Sequence, residues 1–135
     1  MADITVVAAN VKAGAGAIEK SGIAGETITA GDAVHLAADG QIEAAENDLT
    51  SVEAAAVGIA INDAAALQPV KYVVSGVIDM GAIMTIGAVY IVGAAPGGIA
   101  PEGDAVTGEF VTILGVATTT SLLKLGIIQS GVAHA

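Results

Sequence analysis

Few side chains in this sequence are of the types that perform acid–base or nucleophilic chemistry. The chain of 135 residues has no cysteine and two histidines. His35 lies in an alternating segment and His134 is next to the last residue. Catalysis needs such groups brought together with tuned pKa values, and a histidine relay here has at most one credible member. We expect no enzymatic activity, with His35 on a half-buried or interface-facing side of a strand.

Two short motifs resemble catalytic or nucleotide-binding patterns but lack their context. Ser121 and Lys124 have the Ser-x-x-Lys spacing of penicillin-recognising enzymes. That motif needs a helix, whereas in the strand expected here the two side chains point to opposite faces. Gly14-Ala15-Gly16 begins like a dinucleotide-binding loop, but Glu19 stands where the third glycine should be and would repel a pyrophosphate. Neither motif predicts a site.

Four carboxylates in predicted turns are candidate calcium ligands. None of them follows the spacing of a calcium-binding loop. We therefore expect solvated side chains and predict no metal and no cofactor. The four are Asp39, Glu46, Asp48 and Asp104.

The charge balance argues against a nucleic-acid partner. Fourteen acidic residues stand against four basic ones, for a net charge of −10. Binding to a phosphate backbone depends on clustered Lys and Arg side chains, so this sign is wrong.

One long stretch without charge is a candidate membrane span. Nothing between Asp79 and Glu102 is charged, and a spanning helix needs about 20 apolar residues. Glycines and Pro96 interrupt the stretch, and its Val, Ile and Tyr clusters favour strands. With no basic segment at the N-terminus to suggest a secretory signal, we expect no membrane partner and a protein made in the cytoplasm.

The composition predicts a folded domain with a core of small side chains. Hydrophobic residues form 54% of the chain and charged residues 13%, with one Phe, two Tyr and no Trp. Such a chain can bury a continuous core. Because the core is thin, assembly with other copies is an expected source of stability. We expect Tyr72, Tyr90 and Phe110 to lie in it.

Short Val- and Ile-rich clusters closed by Gly, Asp, Asn or Pro are typical of strands and turns. A possible capping box at Thr50-Ser51-Val52-Glu53 predicts one or two helical turns. The predicted strands are Ile4–Ala8, Thr27–Thr29, Val34–Ala37, Gln41–Glu43, Val57–Ile61, Val70–Ile78, Ala88–Val92, Phe110–Ala117 and Leu122–Gln129.

An approximate internal repeat runs through the chain. Four blocks of the first half recur in the same order in the second half, beginning with Gly31–Leu36 and Gly87–Ile91. Two copies of one small β-unit would share a core, since each is too short to bury its apolar face alone. Turn patterns in a sequence rich in Ala, Gly and Val are the alternative source of such matches.

The first 25 residues differ from the remainder. One apolar cluster, Ile4–Ala8, is followed by a glycine-rich run that offers little packing. We interpret residues 1–25 as an extended N-terminal arm and residues 26–135 as the β-rich domain. The cluster either closes the protein's own sheet or lies on a neighbouring molecule, and the residues leave both open.

Nearly the whole chain resembles the head decoration (cement) proteins of tailed bacteriophages. The resemblance rests on the run Ala24–Val34, a Gly-Gln-Ile hairpin, Val57–Ala60, the Val-Ser-Gly-Val core of Val70–Asp79, and the order of the later strands. It implies a mainly β fold, a small β-barrel or tulip-like domain, that forms homotrimers on the outer capsid surface and binds the major capsid protein. The protein would then belong to the virion, after synthesis in the host cytoplasm.

The resemblance also implies a role for the arm. Family members use an extended terminal segment to add a strand to the capsid protein, with main-chain hydrogen bonds for adhesion and alternate side chains for register. In this sequence that role falls to Ile4, Thr5, Val6, Val7 and Ala8.

Two other functions remain open. A trimeric head- or tail-attached fibre domain is also β-rich but normally continues into a shaft. A small ligand-binding β-module needs exposed aromatic side chains in a groove, and only three aromatic residues are available.

Overall fold

A computed structural model describes residues 3–47 and 50–135 and has a mainly β fold, with 47% strand and 8% helix. The strands form a curled antiparallel sheet in the shape of a half-barrel, which confirms the predicted fold class. One-turn 3-10 helices lie at Ala8–Asn10 and Glu102–Asp104, and a single α-helical turn, α1, at Ser51–Ala54. The strands are β1 (Lys12–Ala13), β2 (Ile18–Ile23), β3 (Ala33–Leu36), β4 (Ile42–Ala44), β5 (Ala56–Ala60), β6 (Pro69–Asp79), β7 (Val89–Val92), β8 (Ile99–Pro101), β9 (Phe110–Ala117) and β10 (Leu122–Ala133).

Strand β6 joins the two parts of the sheet. The strand order is β4-β3-β5-β6-β10-β9-β7-β8, with β1 and β2 also paired to β6. The first half of β6 pairs with β5 and β2, and its second half pairs with β10 and β1. The exchange of partners occurs near Gly76, which has φ +86° and lies so close to the Gly16 carbonyl that a Cβ would not fit. A glycine is therefore required there.

Two groups of buried side chains pack on opposite faces of β6. Val73 and Ile78 belong to a main core that also contains Tyr90 and Leu114. Val70 and Tyr72 belong to a smaller second core. Alternate residues of a strand point to opposite faces, so Tyr72 and Val73 face different cores, and Ile78, which follows the irregular Gly76, also belongs to the main core. Of the three aromatic side chains expected in the core, Tyr72 and Tyr90 are buried and Phe110 is half-buried.

Seven of the nine predicted strands are present with small shifts at their ends, and Phe110–Ala117 has the predicted bounds. The predicted strand Ile4–Ala8 is wrong, because residues 3–7 form no ladder and Ala8 begins a 3-10 turn. Thr27–Thr29 is reduced to one isolated bridge at Ile28. Helix α1 has the predicted N-cap, with the Thr50 hydroxyl accepting a hydrogen bond from the Glu53 amide at 3.2 Å.

Strands β1, β2 and β8 were missing from the sequence prediction. The residues of β2 are exposed except for a half-buried glycine, so the strand carries no alternation of apolar and polar positions. Its formation depends on the free edge of β6. Because β1 and β2 pair with β6, a separate arm over residues 1–25 is not confirmed.

The strand pairing of the first half recurs in the second half. Val34 pairs with Gly58 just before an irregularity between β3 and β5, and Tyr90 pairs with Gly115 just before one between β7 and β9. The order β4-β3-β5-β6 is likewise matched by β8-β7-β9-β10. The predicted duplication is not confirmed by these matches and stays a prediction.

Within the described part of the chain, no helix has the length and apolar character needed to span a membrane.

Candidate functional site: an N-terminal strap and its seat

The five predicted binding residues lie together on the surface of their own domain. We call residues 3–8 the strap. Its Ile4 amide donates a hydrogen bond to the Ile99 carbonyl of β8 at 2.7 Å. Ile4, Val6 and Ala8 pack against the main core, whereas Thr5 and Val7 are exposed. The strap therefore has the alternating burial of a strand without a strand's hydrogen-bond ladder.

Three glycines form a floor that fits the strap, and we call this floor with Ile99 the seat. A Cβ on Gly93 or Gly98 would collide with the Asp3 carboxylate, and a Cβ on Gly31 would collide with the Val6 side chain. Close approach of another chain segment is a usual reason for glycine in a strand or hairpin. The strap is thus held by shape as well as by hydrogen bonds.

Asp3 begins the strap over the turn between β7 and β8. Its carboxylate accepts a hydrogen bond from the Ala95 amide at 3.3 Å. Burial raises the pKa of Asp3 above its usual value, and the backbone amides of Ala95 and Ala94 oppose that change. An ionised carboxylate loses solvation when it is buried, so the seat holds Asp3 at an electrostatic cost.

Asp32 lies on the opposite side of the seat and has a structural role. Its carboxylate accepts a hydrogen bond from the Thr29 amide at 2.9 Å and contacts Gly97. Burial raises its pKa, and the nearby Glu26 and Asp63 carboxylates add to that effect. The geometry is that of a turn stabilised by its own side chain.

His35 is a buried structural residue. Its ring Nδ1 lies 3.2 Å from the Ala44 carbonyl, and Nε2 lies 4.0 Å from the Glu43 carboxylate. The expectation of a half-buried or interface-facing position is wrong, since only 4% of this residue is exposed. His35 pairs with Glu43 of β4 across the hairpin that the Gly-Gln-Ile run indicated, but no sequence pattern predicted that its ring would be buried.

The other candidate motifs are not assembled into sites. Ser121 precedes β10 and Lys124 lies within it, so the pair is not on a helix. Among residues 3–47 and 50–135 no group of three or more His, Asp or Glu side chains is placed to hold a metal ion. Of the four turn carboxylates weighed for calcium, Asp48 lies outside the described residues.

A second surface is a groove beside the end of β10, with both apolar and polar side chains in its walls. It has a volume of about 500 Å³ and is lined in part by Leu36, Val57, Val74 and Ile127. The Gln129 amide crosses it to donate to the carbonyls of Ala55 and Ala56. No sequence signal marked this groove, because its walls come from distant segments.

Comparison with protein-family models and with curated proteins found no match to this chain.

Proposed function

We propose that this protein is a non-enzymatic decoration protein that binds the outer surface of a tailed-phage head and stabilises contacts between major capsid protein subunits. The observation that carries the proposal is the strap, a short extended segment with alternating burial, attached to a β-rich body by one backbone hydrogen bond. Such a segment can exchange its few internal contacts for a strand position on another chain.

The body supports a role in binding rather than in chemistry. His35 is buried in its own domain. Within the described ranges, the acidic side chains do not converge on a metal site. A net charge of −10 suits a protein on the outside of a particle that must not bind the packaged genome.

We further propose that the protein is a homotrimer and that the groove beside β10 takes part in its assembly. The groove continues the second core onto the surface, since Val57 and Val74 pack against that core and also line the groove. Leu36 adds an exposed apolar side chain to its wall, and exposed apolar side chains grouped in this way commonly mark contacts between proteins. The proposed location is the outer capsid surface, after synthesis in the host cytoplasm.

Co-expression with a candidate major capsid protein from the same genome tests the proposal. Particles are purified and the bound copies are measured by sedimentation and electron cryomicroscopy, for the full chain and for a variant lacking residues 1–8. We expect density for the full chain on the outer surface and none for the deletion variant. Equal occupancy by both variants would remove the strap from the binding mechanism, and absence of the full chain would refute the proposed function.

The ligand-binding alternative gains no support from the aromatic residues. Tyr72 and Tyr90 are buried, and the Tyr90 hydroxyl accepts a hydrogen bond from the Thr85 amide at 2.9 Å. A platform for stacking a ligand therefore lacks Tyr90, and Tyr72, which lines the groove beside β10, exposes only 8% of its surface there. A fibre domain remains the alternative within the class of virion proteins.

A further inference from the structure

The strap that we propose as the shell-binding segment is already engaged by its own domain. We propose that the seat is an autoinhibitory contact, which holds the strap in place and must release it before the strap can add to a capsid protein. The inference rests on the proposed function for the identity of the acceptor. It concerns the regulation of the same segment.

The two engagements use the same chemical groups. A strand that adds to another sheet offers backbone amides and carbonyls along one edge and places alternate side chains in pockets. In the docked strap the Ile4 amide is bonded to the Ile99 carbonyl, and Ile4 and Val6 pack against the main core. One amide proton and one side chain cannot make both sets of contacts, so binding in the two places is mutually exclusive.

The strap makes fewer contacts with the rest of the domain than the chain segment that follows it. Hydrogen bonds from the Ile4 and Ala95 amides join the strap to the seat. From Val11 onward the chain is fixed, because Val11 is buried and the Gly14 amide donates to the Val77 carbonyl at 2.8 Å. The 3-10 turn at Ala8–Asn10 has no buried residue and lies between these two regions. Release therefore has a natural boundary at this turn.

The seat also provides a substitution aimed at the strap alone. The three atoms nearest to a Cβ on Gly93 all belong to the Asp3 carboxylate. Gly93 does not have a positive φ, so its backbone conformation is one that alanine adopts. Its backbone bonds, to the Gly98 carbonyl and from the Asn47 amide, need no change. Gly93→Ala should displace Asp3 and leave the hairpin in place.

Gly103→Ala is the matched control. A Cβ at Gly103 meets no atom within 4 Å, and this residue also lies outside the glycines with positive φ. Gly98→Ala is a second displacing variant, since two of the three atoms nearest to its Cβ belong to Asp3. Agreement between G93A and G98A would separate an effect of the strap from an effect peculiar to one position.

The first measurement is amide hydrogen exchange on the full-length proteins. We expect faster exchange at the Ile4 amide in G93A and G98A, unchanged exchange from residue 11 onward, and wild-type behaviour in G103A. Unchanged exchange at the Ile4 amide in both displacing variants would overturn the inference, because the seat would not be what holds the strap.

The second measurement is binding to capsid particles that lack this protein. The apparent dissociation constant equals the intrinsic one divided by the fraction of molecules with a free strap. If one wild-type molecule in ten has a free strap, full release improves binding by roughly tenfold. We expect G93A and G98A to bind more tightly than wild type and G103A to bind equally.

The outcomes separate this inference from the proposed function. Raised exchange with unchanged or weaker shell binding would refute inhibition and leave a shell-binding protein whose strap is not limiting. Raised exchange with no shell binding by any variant, wild type included, would refute the proposed function itself, and with it the inhibitory role. Raised exchange with tighter binding supports both.

Discussion

Replacing Ile4 with proline tests whether the strap is separate from the sheet. Proline removes the backbone donor, so the hydrogen bond to the Ile99 carbonyl is lost. A bond of this kind contributes about 0.5–1.5 kcal/mol to the free energy of unfolding. The Ile4 side chain is only partly buried, and residues 3–7 make no ladder that proline would break. We therefore expect a loss of about 1 kcal/mol, or about 3–5 °C in melting temperature.

The assay is denaturant and thermal unfolding of Ile4→Pro beside a proline control within the sheet. Ile113 is a suitable control because it pairs with Ile91 of β7 on one side and with Ile128 of β10 on the other. Proline inside such a ladder costs about 3 kcal/mol or more. Equal losses for the two variants would refute the reasoning, since the strap would then be an integral strand and its release would unfold the sheet.

Three further results are expected. Tyr90→Phe should lower the free energy of unfolding by about 1 kcal/mol in denaturant titrations, because the Thr85 amide loses its acceptor; an unchanged midpoint would mean that this amide finds another acceptor. Burial raises the pKa of Asp32, so the folded state binds the proton of this carboxyl more tightly than the unfolded state does. The stability gained from that proton is fully present below the usual pKa of 3.8 and is lost as the pH rises through the raised pKa. Asp32→Asn keeps an acceptor for the Thr29 amide, so it should melt above wild type at pH 7 with a difference that shrinks toward pH 4; a constant difference would contradict the linkage. Leu36→Lys, at an exposed residue that lines the groove, should reduce the mass found by light scattering at micromolar concentration while the free energy of unfolding changes by less than about 0.5 kcal/mol; an unchanged mass would place self-association elsewhere.

Much of the fold follows from local sequence. Strands β5, β6, β9 and β10 are Val- or Ile-rich runs, and Phe110–Ala117 could be bounded from its residues alone. Such runs carry both β-propensity and an apolar face, so local and tertiary preferences agree. Strand β2 could not be found in this way. Its residues Ile18–Ile23 bury almost nothing, and its position is set by the edge of a strand far along the chain.

The sequence indicated the strap of the candidate site but not its seat. The Val- and Ile-rich composition of Ile4–Ala8 marked the strap, but the same composition suggested a ladder that does not form. The seat combines Gly31 with Gly93 and Gly98, which are remote in sequence and meet only after β3 and β7 are placed in one sheet. The glycines on either side of the β7–β8 turn were the available signal, since hairpin glycines often allow another segment to approach.

The pairing of the first strands with β6 affects the order in which the protein can fold during synthesis. Lys12 pairs with Asp79 and Ile23 with Pro69, so β1 and β2 find their partner only after dozens of further residues have been made. Closing such a long loop costs conformational entropy before any strand contacts compensate for it. Strands β3 and β4 pair across a short turn, so this cost is small for them. We expect pulse-labelled hydrogen exchange to protect β3–β5 before β2, and earlier protection of β2 would contradict this order. On a ribosome, the strap, β1 and β2 emerge before β6, so they would wait for their partner, and the strap would remain accessible to other chains throughout that interval.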